Sequence, residues 1–540
     1  KEVFATIWSE YKLQLLISIA ITIISAYGLN RILHLKTSHE IASSKYKPLL
    51  IAPILIILCV MMVRSTFDHR PVNPSTVAFT SDPLINMLPL SSAYSVLYAI
   101  NETRNEDTGK YPYGEMPYEQ ALNVVKNNMG ISDALFLYSK IPTLHKQIAF
   151  VKRDKPLNLV IILEESLGAD YVGALGGRDI TPQLDKLSKQ GIWFENMYAT
   201  GTRSVRGIEA VITGFPPTPS RSVVKLSKSQ TDFFTIAKLL SKHNYDTSFI
   251  YGGESHFDNM KRFFVNNGFN KIVDENSYIN PLFYGSWGVS DEDLFNKAHN
   301  EFLSQPRDKP FFSLVFTSSN HPPFDYPEGR ITDVGKVKNT VKNAVKYTDY
   351  ALGEFIDKAK SSHYWKNTLF LIIADHSDKV YGSEPVPIRH YQIPALILGA
   401  DIKPSVVTTV ASQIDMLPTL LSLMGVDSIH PAIGRDLSEA ILSKNNDDPG
   451  RAIMQFGGSQ AYMEGNHVAI LQKNKTISEF TYINKNLISK ENIDTNFINT
   501  ARAHATWSIN AYRKSEYRLN SIKNKYASIN NKINTHKDTQ

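Results

Sequence analysis

The sequence predicts an α/β protein built on a doubly wound sheet, with its functional residues at the carboxyl ends of the strands. The first observation is a nearly continuous apolar run, Leu157 to Leu163, which ends in the carboxylates Glu164 and Glu165. Because polar and apolar residues do not alternate, we expect this strand to be covered on both faces, as in a parallel sheet. The second observation is another such run, Thr368 to Ala374, which stops at an Asp-His-Ser-Asp motif beginning at Asp375.

The third observation is the alternation of strand-like and helical stretches between Asn158 and Gly457. The additional strand-like runs are DTSFIYG (Asp246 to Gly252), FFSLVFT (Phe311 to Thr317) and PALILG (Pro394 to Gly399). Between them, Thr181 to Gly191 has the pattern of a helix with an N-cap threonine, a proline at the first position and a closing glycine. Such alternation is typical of a doubly wound sheet, in which sites form just beyond the strands' carboxyl ends.

Length and composition limit the classes of protein to consider. The 540 residues suffice for two or three domains, and the net charge of +6 is modest. This charge fits attraction to an anionic membrane surface, but Lys and Arg do not cluster with aromatic residues, so we expect no nucleic-acid partner. The single cysteine, Cys59, excludes an intramolecular disulfide and a thiolate zinc cluster.

Residues 1–65 contain two apolar segments, Leu13 to Leu29 and Leu49 to Val63, which we interpret as transmembrane helices. The alternative is a pair of buried helices in a soluble core. The loop between the segments is rich in Lys and Arg, which places it in the cytoplasm and everything after Arg64 outside it. Because the chain begins with lysine rather than methionine, we expect further sequence upstream.

The remaining chain divides into three predicted regions. Residues 66–156 are interpreted as a juxtamembrane linker, with apolar residues at helical spacing between Ile85 and Ile100, that lies along the membrane or wraps the main domain. Residues 157–457 form the predicted catalytic domain. Residues 458–540 are expected to form short strands and then, from Trp507, a polar, basic tail in a solvated or fraying helix.

The residues at the strand ends suggest a metal site. Acids at such positions are either caps that face water or ligands for a cation. Two neighbouring strands would bring Glu165 together with Asp375 and His376, and carboxylate oxygen and imidazole nitrogen suit Mn²⁺, Mg²⁺ or Zn²⁺.

A loop from Thr200 to Gly207 carries hydroxyls, glycines and two arginines, and it opens an apolar segment. It has the pattern of an anion-binding helix start, although a polar turn with a capping serine is the alternative. Beside a metal site, a hydroxyl of this loop could become a nucleophile. Arg203 or Arg206 could then neutralise the oxygens being transferred.

His321 follows a third predicted strand, in the segment TSSNHPPF from Thr317 to Phe324. A histidine in this position is either structural or part of the site. Because Pro322 and Pro323 fix the loop after it, we expect His321 to line the site.

Taken in order, five motifs resemble the lipoteichoic acid synthase and phosphoglycerol transferase group of the alkaline phosphatase–sulfatase superfamily. They are LEES (Leu163 to Ser166), GTRSVRG (Gly201 to Gly207), YGGESHFDNM (Tyr251 to Met260), SNHPPF (Ser319 to Phe324) and ADHSD (Ala374 to Asp378). The GTRSVRG variant and RPVNPS (Arg70 to Ser75) look more like versions from Gram-negative bacteria. The resemblance implies an alkaline-phosphatase/sulfatase-like domain preceded by transmembrane helices.

The resemblance also implies roles for individual residues. Glu165 matches the carboxylate ligand, with Glu164 as its neighbour, and Asp375 and His376 match the metal pair. Ser204 falls where the family usually has a threonine nucleophile and metal ligand. The implied cofactor is one divalent metal ion, Mn²⁺ first, with Mg²⁺ or Zn²⁺ as alternatives.

For substrate binding the resemblance is less complete. His321 matches the family's substrate histidine, whereas Thr202 is the alternative nucleophile to Ser204. The family's Trp and Arg substrate contacts fall near Asp258 and Met260, which are different residue types, so recognition of the headgroup or acceptor is expected to differ. Arg203 and Arg206 could supply the missing positive charge.

The activity implied by the resemblance is transfer of phosphoglycerol from phosphatidylglycerol to a glycan, polymer or lipid acceptor, through a covalent intermediate on Ser204 or Thr202. The enzyme would be a multi-pass protein of the cytoplasmic (inner) membrane, with its catalytic domain facing the periplasm. One alternative is a phosphoethanolamine transferase acting on lipid A or a glycan, although those enzymes usually hold disulfides. The other is a non-catalytic binding or regulatory module. Sulfatase activity is disfavoured because the residues after Ser204, VRGI, lack the proline and final arginine of a formylglycine motif.

Overall fold

The computed structural model describes residues 19–20, 22–28, 30–31, 47–64, 66, 70–106, 112–138, 140–443 and 448–519. The chain separates into two compact units, residues 1–72 and residues 73–540. The described part of the first unit includes helix α1, Lys47–Arg64, which contains Pro53. Of the first predicted membrane segment, Leu13 to Leu29, residues 19–20 and 22–28 are described and are helical, and the others lie outside the described residues. Within the described ranges, no helix combines the length and apolar character that crossing a bilayer requires.

The second unit holds the remaining described elements. Its helices are α2 Ser92–Glu106, α3 Tyr118–Asn128, α4 Pro182–Leu187, α5 Ser204–Thr213, α6 Ile236–Lys242, α7 Met260–Asn266, α8 Asp291–Leu303, α9 Val341–Lys360, α10 Met416–Met424, α11 Ser438–Ser443 and α12 Thr495–Arg513. Its strands are β1 His145–Gln147, β2 Asn158–Glu164, β3 Ile192–Phe194, β4 Met197–Tyr198, β5 Asp246–Tyr251, β6 Lys271–Val273, β7 Tyr284–Gly285, β8 Gly288–Val289, β9 Phe311–Phe316, β10 Thr368–Ala374, β11 Ala395–Gly399, β12 Ser405–Val407, β13 Ala411–Ser412, β14 Ser428–His430, β15 Arg451–Phe456, β16 Ser459–Glu464, β17 His467–Leu471, β18 Ile477–Ile483 and β19 Asn486–Ser489.

An eight-stranded sheet in the order β12-β3-β11-β10-β2-β9-β5-β6 forms the centre of this unit. All residues of β9 and β10 are buried, which explains why these strands show no polar alternation. Strand β2 lies between β10 and β9 and is parallel to both, with Glu164 opposite Ala374 and Leu163 opposite Phe316. The predicted α/β sheet is therefore confirmed, and the carboxyl ends of these three strands share one edge.

One strand of the sheet runs in the opposite direction. Strand β11 is antiparallel to both β10 and β3. A parallel neighbour would need a crossover, usually through a helix, but residues 375–394 contain only a short 3₁₀ turn, Ile388–Tyr391. The chain therefore returns directly beside β10.

The start of helix α4 differs from the prediction in its capping group. Thr181 occupies the N-cap position, but its side chain makes no capping hydrogen bond. Instead, Asp349 of α9 accepts hydrogen bonds from the backbone N–H groups of Gln183, at 2.9 Å, and Leu184, at 2.8 Å. The backbone N–H groups at the helix start, which have no acceptor within the helix, are thus paired through a tertiary contact.

The C-terminal part forms a five-stranded antiparallel sheet, β15 to β19, followed by α12. The interpretation of a solvated tail from Trp507 is wrong for residues 507–519. Trp507 and Tyr517 are both almost fully buried, and the Tyr517 hydroxyl donates a hydrogen bond of 3.0 Å to the carbonyl of Thr213. The polar composition of α12 describes only its outer face. Residues 520–540 lie outside the described residues.

Candidate active site

Three potential ligands meet where β2 and β10 end. Glu165 follows β2, whereas Asp375 and His376 follow β10, and all three side chains are buried. Their ligand atoms all lie within 4.8 Å of one another. The Nε2 atom of His376 is 3.5 Å from Asp375 Oδ2 and 4.0 Å from Glu165 Oε1. The convergence expected from the sequence is therefore present.

The hydrogen bonds around Asp375 and His376 leave Asp375 Oδ2 and His376 Nε2 available for a cation. Asp375 Oδ1 accepts from the N–H groups of Ser166, at 2.7 Å, and His376, at 2.6 Å, whereas the buried Oδ2 accepts no hydrogen bond from the described residues. His376 Nδ1 donates to the Ser377 carbonyl at 2.7 Å, which leaves the lone pair on Nε2. Burial, and then the charge of Glu165, raise the pKa of Asp375. A divalent cation would offset both effects, so the donor set fits such an ion.

Ser204 is one of two residues whose hydroxyls reach this cluster, the other being Ser166. The Ser204 Oγ donates a hydrogen bond of 3.0 Å to Glu165 Oε2, while the other carboxylate oxygen accepts one of 2.6 Å from Ser166. Ser204 is also the first residue of α5, where the partial positive charge of the helix start favours anionic oxygens. Thr202, the alternative nucleophile, is half-buried two residues earlier and lines the adjoining cavity.

Two residues place α5 against β10: Gln413, which no sequence pattern indicates, and Gly207, the last residue of the GTRSVRG motif. Gln413 donates 2.8 Å hydrogen bonds to the carbonyls of Ala374 and Asp375, and its side-chain oxygen accepts from the Thr200 N–H at 2.9 Å. Gly207 packs so closely on β10 that an added Cβ would lie 2.6 Å from the Asp375 Cα. Gln413 thus links the loop before α5 to the end of β10, and Gly207 permits the close approach.

Glu164 points to a different environment from Glu165. Its carboxylate accepts a hydrogen bond of 3.2 Å from Thr317 Oγ1, which itself accepts 2.8 Å from the Glu165 N–H. Complete burial, followed by the negative charge of Asp291, raises the pKa of Glu164 well above its usual range. The hydrogen bonds through Thr317 connect the Glu164 carboxylate to the backbone N–H of Glu165 and so steady that backbone.

A cavity of about 540 Å³ opens beside Glu165 and Ser204, and His321 lines it. His321 Nδ1 lies 3.1 Å from the Pro322 carbonyl, which only accepts, so Nδ1 carries a proton and Nε2 is the atom for a substrate. The ring packs on Trp287 with 3.7 Å between centroids, and Trp287 Nε1 donates to the same carbonyl at 2.7 Å. Trp287 stands alone in a turn-rich segment, so no sequence pattern marked it.

The charged side chains of the cavity differ in how they are paired. Arg203 is exposed at the rim. Asp258, one of the candidate substrate contacts, lies in the cavity wall with its Oδ1 2.6 Å from Lys225 Nζ. Arg221 lines the same cavity and pairs with Glu102 at 3.3 Å. Arg221 and Lys225 are thus each paired with a carboxylate, whereas Arg203 stands exposed at the rim, where its charge favours an anionic ligand.

Arg206 has a structural environment. Its guanidinium donates to Glu209 at 2.8 Å, to the Thr218 carbonyl at 2.7 Å and also to the Ser220 carbonyl. Both members of the Arg206–Glu209 pair are buried. The expectation that Arg206 neutralises transferred oxygens gains no support from this geometry, because its charge is already matched inside the fold.

Comparisons with known proteins agree with this fold. A family model described as Sulfatase matches residues 157–426, which is half of the chain. A crystal structure of a protein in the alkaline phosphatase superfamily from Vibrio parahaemolyticus is 50% identical, with a TM-score of 0.71, and the match covers 75% of this chain and 98% of that one. The structure of the lipoteichoic acid synthase LtaP from Listeria monocytogenes is 22% identical with a TM-score of 0.58, over 73% of this chain and 98% of that one.

Curated relatives match about half of the chain. The lipoteichoic acid synthase-like protein YvgJ of Bacillus subtilis is 24% identical over 299 residues, which are 51% of this chain and 48% of that protein. Phosphoglycerol transferase I of Xanthomonas campestris pv. campestris is 25% identical over 305 residues, 52% of this chain and 43% of that protein. The matches thus span less than half the length of these relatives. They confirm the resemblance drawn from the five motifs and the alkaline-phosphatase/sulfatase-like fold.

Proposed function

We propose that this chain, which belongs to the sulfatase family of the alkaline phosphatase superfamily, is a metal-dependent phosphoglycerol transferase. The proposed donor is phosphatidylglycerol, and the proposed acceptor is an extracytoplasmic glycan, polymer or lipid. The observation that carries the proposal is the 3.0 Å hydrogen bond from Ser204 to Glu165, beside Asp375 and His376. The proposed location is the cytoplasmic membrane, with the catalytic unit on its outer side.

Glu165, Asp375, His376 and Ser204 are the proposed ligands of one divalent metal ion. We propose Mn²⁺, with Mg²⁺ or Zn²⁺ as alternatives, because the set combines two carboxylates, one imidazole and one hydroxyl. When bound, such an ion lowers the pKa of a coordinated hydroxyl and offsets negative charge on a phosphoryl group.

The residues of the chain perform the proposed steps in two displacements. First, Ser204 Oγ attacks phosphorus in line, the bond from phosphorus to the diacylglycerol oxygen breaks, and phosphoglycerol becomes attached to Ser204. The Ser204 proton passes to solvent, and Ser204 recovers a proton from solvent when its bond to phosphorus later breaks. His321 Nε2, when protonated, donates the proton that the departing oxygen needs. In the second displacement an acceptor hydroxyl attacks phosphorus, His321 takes the acceptor's proton, and the bond to Ser204 breaks.

The cavity charges favour a phosphoglycerol donor over a phosphoethanolamine donor. An ethanolamine headgroup carries an ammonium ion, which would need an available carboxylate. Asp258 is the acidic side chain on that wall, and Lys225 already neutralises it at 2.6 Å. An uncharged glycerol headgroup avoids competition with Lys225, while Arg203 and Arg221 suit the phosphate.

The test uses the full chain, reconstituted in vesicles with fluorescent phosphatidylglycerol and Mn²⁺. The parent and Thr202→Ala are expected to release fluorescent diacylglycerol, whereas Ser204→Ala is not, and mass spectrometry of quenched enzyme should locate phosphoglycerol on the Ser204 peptide. Equal release by Ser204→Ala would contradict the proposed nucleophile. Preferential turnover of fluorescent phosphatidylethanolamine would favour the phosphoethanolamine alternative, and absence of both turnover and bound metal would favour a non-catalytic module.

A further inference from the structure

Helix α2, Ser92–Glu106, directs its polar residues toward the domain. Residues 98, 102 and 106 share one face because they are four positions apart. All three make contacts with the loops beside the cavity. The contacts are Tyr98 with Asn259 at 3.3 Å, Glu102 with Arg221 at 3.3 Å, and Glu106 with the Ser227 hydroxyl at 2.6 Å.

The opposite face of α2 is apolar and faces outward. Leu97 is 68% exposed, and Val96 and Ile100 are about half exposed. The turn before the helix adds Leu84, at 78%, and Leu88, at 81%. A surface helix of a globular protein normally buries its apolar face, so this arrangement is inverted. An apolar surface of this kind marks a site of contact with a membrane or another protein.

The inverted helix stands at the rim of the cavity that contains Ser204. Its partner Arg221 lines that cavity, as does Lys225 a few residues later. Arg221, which pairs with Glu102, and Lys228 are both exposed next to α2, and Lys228 contributes positive charge beside the apolar surface. Apolar side chains flanked by basic ones match the outer layer of a bilayer that contains anionic lipids.

We propose that residues 79–100 form a docking surface that inserts into the headgroup layer of an anionic bilayer and seats the cavity against it. The preceding chain supports this occupant, because α1, Lys47–Arg64, is a largely apolar helix. Even a fully extended connection from Arg64 to Phe79 spans only about 50 Å. Tyr94, which is 36% exposed, adds an aromatic residue of the kind that membrane interfaces favour. The docking goes beyond the proposed function, since it does not depend on which headgroup is transferred.

The competing occupant is a second copy of the chain, which could cover the same apolar face. A label on a single cysteine distinguishes a bilayer from a second copy as the occupant. In a Cys59→Ser background, Leu97→Cys is labelled with an environment-sensitive fluorophore and the full chain is reconstituted in phosphatidylcholine–phosphatidylglycerol vesicles. The matched control is Val406→Cys, because Val406 is 53% exposed on β12, at the sheet edge opposite β6.

Lipids with a nitroxide on the acyl chain provide the readout. We expect several-fold stronger quenching of the label at position 97 than at position 406, with blue-shifted emission at 97. Equal quenching at the two positions would overturn the proposal. Disulfide-linked dimers of unlabelled Leu97→Cys that form equally without lipid would also overturn it, in favour of a second copy. Neither outcome depends on catalysis, so failure of the docking surface and failure of the transferase proposal are separate results.

Discussion

Ser204 and Glu165, 39 positions apart in the chain, are joined by a hydrogen bond of 3.0 Å between Oγ and Oε2. The contact exists because α5 begins where β2 and β10 end. It favours Ser204 over Thr202 as the proposed nucleophile, a choice that the sequence leaves open.

Replacement of this hydroxyl should separate chemistry from folding. We expect Ser204→Ala to lower kcat on the order of 10³-fold, because no oxygen remains to attack phosphorus. Ser204→Thr keeps the oxygen and should stay within roughly tenfold of the parent. Steady-state release of diacylglycerol measures both variants, with Thr202→Ala as the control. An inactive Ser204→Thr beside an active Ser204→Ala would contradict the assignment.

Gly207 should control metal affinity without contacting the metal ligands' side chains. Gly207→Ala places a Cβ 2.6 Å from the Asp375 Cα, so α5 and β10 must move apart and Ser204 must leave Glu165. We expect Mn²⁺ to bind about tenfold more weakly, as measured by calorimetry. Gly458→Ala is the matched control, since its Cβ would meet only the Lys473 side chain at 3.4 Å. Equal affinities in the two variants would refute the packing argument.

The contact between Trp287 and His321 should affect turnover more than metal binding. Trp287→Phe keeps an aromatic ring but loses the N–H that donates to Pro322 at 2.7 Å, so the loop that carries His321 is less fixed. We expect kcat to fall roughly tenfold with little change in Mn²⁺ affinity. Trp365→Phe is the control. Trp365 stacks on Phe370 near the start of β10, whereas Asp375 and His376 follow the opposite end of this strand. A parallel loss of metal affinity in Trp287→Phe would instead indicate a general structural role.

Asp349 should make stability depend on pH. Burial raises its pKa from 3.8 to about 7, against the two backbone hydrogen bonds that lower it. Between these values the folded state holds a proton that the unfolded state releases, so the free energy of unfolding should fall as the pH rises from about 4 to 7. Asp349→Asn should flatten this slope while retaining an oxygen that caps α4.

Urea denaturation at pH 5 and pH 8 measures the slope for each variant. The control is Asp357→Asn on the same helix, whose side chain is 63% exposed. Identical slopes in the parent and Asp349→Asn would show that Asp349 does not titrate in this range.

The strands and the ligand positions could be predicted because both depend on local sequence. Buried parallel strands such as β10 lack alternation, and ligands follow directly after them, so Asp375 and His376 were visible as a pattern. The roles of Gln413 and Trp287 could not be predicted in this way, because their contacts arise only when distant loops meet. The buried position of Trp507 was mispredicted for a related reason, since a helix with polar residues on one face can still bury the other against the domain.

Gln413 has a consequence for the binding of a cation and a substrate at the proposed site. By binding Thr200 on one side and the carbonyls of Ala374 and Asp375 on the other, it joins two stretches of chain into a rigid frame through hydrogen bonds that involve neither metal nor substrate. The proposed nucleophile and metal ligands are therefore preorganised, and we expect little reorganisation energy to be spent when a cation and a phosphodiester bind.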